Sequence, residues 1–119
     1  MIDNWLEQFK QRWLSKDIDG VMELFSDEVE YWETPFLKFA NKQELRDEWE
    51  GVRSLEDQQL ALDLYVHDAE HHKHVVRFTF SCTHDGEASR SAGVYLVTLN
   101  DAGVCTYFMR VSVPEGFDL

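Results

Sequence analysis

A chain of 119 residues carries one domain and one core. Apolar residues make up 44%, aromatics 13% and charged residues 29%, a globular composition rather than a disordered one. A formal net charge of −12 opposes sequence-independent nucleic-acid binding and docking on anionic membranes.

No apolar run approaches the roughly 18 residues of a membrane span. The start, Met1 to Trp5, lacks a basic segment followed by an apolar stretch, so no signal peptide and a cytoplasmic location are expected. Cys82 and Cys105 match no zinc spacing and no CxxC redox motif. They are expected to be small buried hydrophobes.

Ile2, Trp5, Leu6, Phe9 and Trp13 recur at spacings of three and four, one apolar stripe on a helix, with Asp3 as its expected N-cap. Asp17 caps a second helix, with Ile18, Val21, Met22 and Phe25 inward and Ser26-Asp27 closing it. Glu28 to Thr34 alternates and ends at Pro35, which reads as a strand: Val29, Tyr31 and Glu33 share one side, Glu30, Trp32 and Thr34 the other. Phe36 to Phe39 is expected to form a short second strand. Asn41-Lys42-Gln43-Glu44 is a capping box in its Asn form and opens a third helix, with Leu45, Trp49 and Val52 inward. Gly51 and Ser54 mark its end.

Four strands follow. Gln58 to His67 puts Leu60, Leu62, Leu64 and Val66 on one face, and His74 to Thr83 puts Val76, Phe78, Phe80 and Cys82 on one face. Asp85-Gly86 and Asn100 to Gly103 are turns. Ser89 to Leu99 and Val104 to Val113 are apolar on both faces. A single helix layer covers only one face of a sheet. A homodimer through the outer face of the last two strands is therefore expected.

The order helix, helix, strand, short strand, helix and four long strands resembles the nuclear transport factor 2-like (NTF2-like) superfamily. Its SnoaL-like branch, with polyketide cyclases and ketosteroid isomerase, is the nearest. "WLSKDIDGVMELFSDEVEYWETP" resembles the family's opening and "LNDAGVCTYFMRVSVPEG" its last hairpin. The resemblance covers nearly the whole chain, 1–119, as one domain. It implies an α+β cone, N-terminal helices packed on a curved antiparallel or mixed sheet, with a pocket between the layers and a common dimeric state. It does not imply one chemistry. The family isomerase's general base falls on Thr34, immediately before Pro35, and its oxyanion tyrosine on Phe9. Neither residue can do that work, so isomerase chemistry of that type is not expected.

Glu33 is the nearest carboxylate to that position. In an aromatic-lined pocket, desolvation raises a carboxyl's pKa and fits it to acid-base catalysis; at a wet strand end it is an ordinary surface charge. Arg110 interrupts an apolar strand and is either a ligand's carboxylate partner or, with Thr106, Phe108 and Ser112 on its face, the more polar side, an outer-face or interface residue. Tyr31, Trp49 and Tyr95, with Trp32 and Tyr107, are aromatic candidates for lining an apolar ligand site. His67, His71, His72, His74 and His84 look like a metal cluster at first glance, but His71 to His74 falls at an expected hairpin turn, where solvation is expected rather than metal binding. No cofactor is expected. Two function classes remain open: a small-molecule site with cofactor-free isomerase, cyclase or hydratase chemistry on Glu33, and a non-catalytic dimeric interaction module with a filled interior.

Overall fold

A computed structural model of the chain describes residues 1–116. Three helices, α1 (Ile2–Leu14), α2 (Ile18–Met22) and α3 (Lys42–Trp49), lie against one face of a six-stranded sheet, and a 3-10 turn (Glu50–Ser54) continues α3. The strands are β1 (Phe25–Thr34), β2 (Leu37–Lys38), β3 (Glu56–Asp68), β4 (Lys73–His84), β5 (Glu87–Leu99) and β6 (Cys105–Pro114). Their order is β2-β1-β6-β5-β4-β3. Only the β1–β6 pair is parallel, because the chain crosses from one edge of the sheet to the other between them. Register shifts in β1, β3 and β6 bend the sheet into an unclosed cone. None of the helices is long and apolar enough to cross a membrane.

The α1 stripe is buried as its spacing requires: Ile2, Trp5, Leu6, Phe9 and Trp13 all face the sheet. Each such side chain stabilises the fold by roughly 1.5–3 kcal/mol through burial. Asp17 caps α2 by accepting from Gly20 N at 3.0 Å. Asn41 caps α3 through Glu44 N, and Glu44 reaches back to Ala40 N at 2.9 Å.

Two boundaries differ from expectation. Met1, without a side-chain bond, occupies the N-cap of α1, and Asp3 lies inside the first turn, where it acts on the helix dipole instead. Phe25 to Asp27 belong to β1 rather than to α2. The reason is a pairing that helical periodicity does not reveal: Phe25 lies opposite Cys105, and Cys105 N donates to Leu24 O at 2.8 Å. Phe36, expected in β2, sits in the preceding turn and is 96% exposed. Cys82 and Cys105 are buried free thiols.

Both apolar faces of β5 and β6 are real but unequal. Tyr95, Val97, Leu99 and Phe108 are buried under the helices. Val94, Leu96 and Met109 on the other face are half-buried, and Val111 and Val113 are exposed.

Candidate functional site

Strand register assembles the site. β1 and β6 run parallel with Tyr31 opposite Phe108, so two residues on, Glu33 comes beside Arg110. β6 and β5 pair Arg110 with Tyr95, and β5 and β4 pair Tyr95 with Val76. Glu33, Arg110 and Tyr95 thus form one row across the inner face, with Tyr31 and Phe108 in the row beneath. One step toward the rim, Phe78 lies opposite Gly93. A Cβ on Gly93 would overlap the carbonyl oxygen of Val111, so β6 closes on β5 there only because position 93 is bare.

Between this face and the helices is a cavity of about 370 Å³. Phe9, Trp13, Trp49, Phe78, Phe80 and Phe108 supply its apolar wall. Tyr31, Glu33, Glu48, His84, Ser91, Tyr95 and Arg110 supply its polar groups. Phe78 stacks flat on Tyr95 with centroids 4.1 Å apart, and Tyr31 stacks on Phe108 at 4.7 Å. These stacks fix both phenols by packing.

Glu33 and Arg110 form an ion pair, Oε1 to Nη2, at 3.2 Å. The Glu33 side chain is 17% exposed and that of Arg110 37%. Burial pushes the Glu33 carboxyl above the usual carboxylate range; Arg110 opposes this and Glu48 adds to it. Burial, then the Glu33 charge, raises Tyr31 well above an ordinary phenol, and burial raises Tyr95 likewise. Both phenols therefore stay protonated at neutral pH and can donate to an oxygen. The buried Nε of Arg110 has no acceptor among the described residues.

Of the residues singled out in the sequence, Tyr31, Glu33, Trp49, Tyr95 and Arg110 converge on this cavity. Trp32 and Tyr107 do not. Trp32 lies on the opposite side of β1, where its indole donates to Glu30 Oε2 at 2.8 Å. Tyr107 lines a depression on the outer face with Val75 and Leu96. Strand alternation separates both from Tyr31 and Arg110. The outer-face alternative for Arg110 is overturned: it shares the face of fully buried Phe108, and the flanking Thr106 and Ser112 misstated that face's polarity. Thr34, at the family base position, is spent on the turn, its Oγ1 accepting from Phe36 N and Leu37 N at 3.1 and 3.0 Å. Phe9 packs against Trp5 at 5.0 Å and borders the cavity without a hydroxyl.

Glu48 and His84 escaped sequence reasoning, since an acidic helix face and a turn histidine read as solvated. Phe78 and Phe80 were visible as an inward strand face without a sign that they border space. His74 departs from the expected solvated turn: it is 4% exposed, with its Nδ1 3.1 Å from His67 Nδ1. Among the described residues, no three candidate metal ligands converge.

The chain belongs to the SnoaL-like domain family, which matches residues 6–107. It is therefore a member of the SnoaL-like branch of the nuclear transport factor 2-like superfamily. Solved structures of the same fold include AusH from Aspergillus nidulans, 15% identical with a TM-score of 0.77 over 95% of this chain and 86% of that one. Delta 5-3-ketosteroid isomerase from Mycobacterium sp. is 15% identical, with a TM-score of 0.75 over 89% and 88% of the two chains. An LEH-like epoxide hydrolase from M. tuberculosis is 12% identical, with a TM-score of 0.71 over 92% and 80%. At these identities the likeness establishes the fold alone. No curated protein matches the sequence.

Proposed function

We propose that the cone cavity binds a small, largely apolar molecule and that Glu33 moves a proton on it without a cofactor, in an isomerase, cyclase or hydratase type of reaction. The observation that carries this is a single one: a mostly buried carboxyl faces a 370 Å³ cavity, paired with Arg110 on the same wall. Burial raises its pKa against the opposing pull of the arginine, which favours a carboxyl that can hold a proton as well as release one. Tyr31 and Tyr95 supply phenolic donors for an oxygen that gains charge as the proton moves. The isomerase and the epoxide hydrolase of the same fold lend support by class. A cavity of this size weighs against a filled-interior interaction module.

The test is Glu33→Gln, which keeps shape and removes the titrating group. Once a substrate is found by screening apolar carbonyl compounds, turnover should fall by about 10²- to 10⁴-fold with the circular dichroism spectrum unchanged. Unchanged turnover removes Glu33 from the chemistry.

We also propose that two copies pair through the outer face of β5 and β6. Support comes from the continuous cross-strand pairs Val94–Val111 and Leu96–Met109 and from the exposure of Val111 and Val113. Val111→Lys should convert a species of twice the chain mass into monomer in sedimentation analysis; a wild-type monomer ends this reading.

A further inference from the structure

We infer that the ligand of this cavity is a one- or two-ring carboxylate, gripped by Arg110, and that its binding transfers a proton from solvent to Glu33. This rests on the reading of the cavity as a ligand site and names what that site selects.

The first argument is the state of Arg110. A guanidinium carries five N–H donors and no acceptor. Among the described residues its one ion-pair partner is Glu33, through a single oxygen at 3.2 Å, and its buried Nε has no acceptor at all. A buried donor without a partner is unfavourable. The ion pair with Glu33 therefore leaves Arg110 poorly satisfied, and a planar anion that takes two donors at once improves on it.

The second argument is the layout of the wall. Arg110 and Tyr95 pair across β6 and β5, with Tyr31 one row away opposite Phe108, while Phe9, Trp13, Phe78 and Phe80 supply carbon. Such a wall fits a molecule with one polar head and an apolar body. At 370 Å³ the cavity is near the small end of ligand sites, which run from roughly 300 to 1,000 Å³, so a one- or two-ring body suits it.

The third argument is charge. The chain carries a net −12, and Glu48 lines the same cavity, so a further anion enters only with compensation. Arg110 is the cavity's one permanent cation among the described residues. When it turns to the ligand, Glu33 loses the charge that holds it ionised, while its burial stays. The balance is then simple. The ligand keeps its negative charge against Arg110, one proton leaves solvent for Glu33, and no covalent bond in the ligand changes. The bound state thus holds a neutral carboxylic acid beside the ligand, ready to act as a proton donor.

Isothermal titration calorimetry on the full chain tests this, with phenylacetate, cyclohexanecarboxylate and 1-naphthoate against the corresponding amides. At least one acid should bind about tenfold or more tightly than its amide. Titrations in buffers of different ionisation enthalpy should show uptake of about one proton per carboxylate bound. Arg110→Gln should level acid and amide. Glu33→Gln should keep the preference for the acid and lose the proton uptake. The inference is overturned if no acid binds at millimolar concentration, if amides bind as well as acids, if the preference survives in Arg110→Gln, or if no proton is taken up. Should Arg110→Gln misfold, the acid–amide comparison in the wild-type protein and in Arg110→Lys decides. Catalytic loss in Glu33→Gln is measured separately, so failure here leaves the acid-base reading standing or falling on its own test.

Discussion

The two ends of the cone are built from the same kind of side chain and behave differently. At the closed end, Trp5 stacks on Phe9 at 5.0 Å, meets Phe25 edge-on at 5.7 Å, and donates its indole N–H to Leu24 O at 3.0 Å. Trp5 is thus 2% exposed with its one polar atom paired. At the open end, Trp13 lies against Phe80 at 4.7 Å and Trp49 at 5.0 Å, yet the rings stand around a void. One difference in sequence stands out. Glu33 and Arg110 occupy wall positions where a core strand would carry aliphatic residues. Aromatic content alone therefore does not say whether an interior is filled; the charged positions between the rings do.

The sharpest way to break that comparison is to remove one ring from each end. Trp5→Ala opens a new cavity in a filled region and should cost about 3–5 kcal/mol in urea denaturation. Phe80→Ala enlarges a void that already exists, so it should cost less, about 1–2 kcal/mol, because the half-buried ring has fewer contacts to lose. Equal losses at the two sites would mean that the open end is packed in solution and that the ligand-site reading has lost its cavity.

Much of this architecture was legible in the chain. The helical stripe from Ile2 to Trp13 and the caps at Asp17 and Asn41 are local signals, carried by side chains within a few residues of each other. Tyr31 and Glu33 were placed on one face by alternation alone. What escaped was whatever depends on partners distant in sequence. The parallel β1–β6 pairing that draws Phe25 into a strand is one case, and the inward face of Arg110, decided by Phe108 rather than by Thr106 and Ser112, is another. Glu48 belongs to the same group: nothing in an acidic helix shows which of its carboxylates leans over a cavity.

The smallest predicted effect concerns the narrow end of the sheet, away from the cavity. His67 and His74 stack with centroids 5.0 Å apart and their Nδ1 atoms 3.1 Å from each other. His74 is buried, and its pKa is lowered by that burial, with the nearby charges of His67, His72 and the N-terminal ammonium adding to the effect and Asp68 opposing it. A histidine whose folded pKa lies below its unfolded value is stabilising while neutral. The unfolded chain binds its proton first as pH falls, so stability should be full above the ordinary histidine pKa of about 6.5 and decline below it. In His74→Phe, which cannot be protonated, the part of that decline due to this site should vanish in melting curves taken between neutral and mildly acidic pH. The Asp68 carboxyl, held below its ordinary range by its hydrogen bonds from His71, titrates below that window. If the variant loses stability on acidification as steeply as the wild type, the decline originates elsewhere, and the aromatic end of the cone is insensitive to the protonation of the pair that borders it.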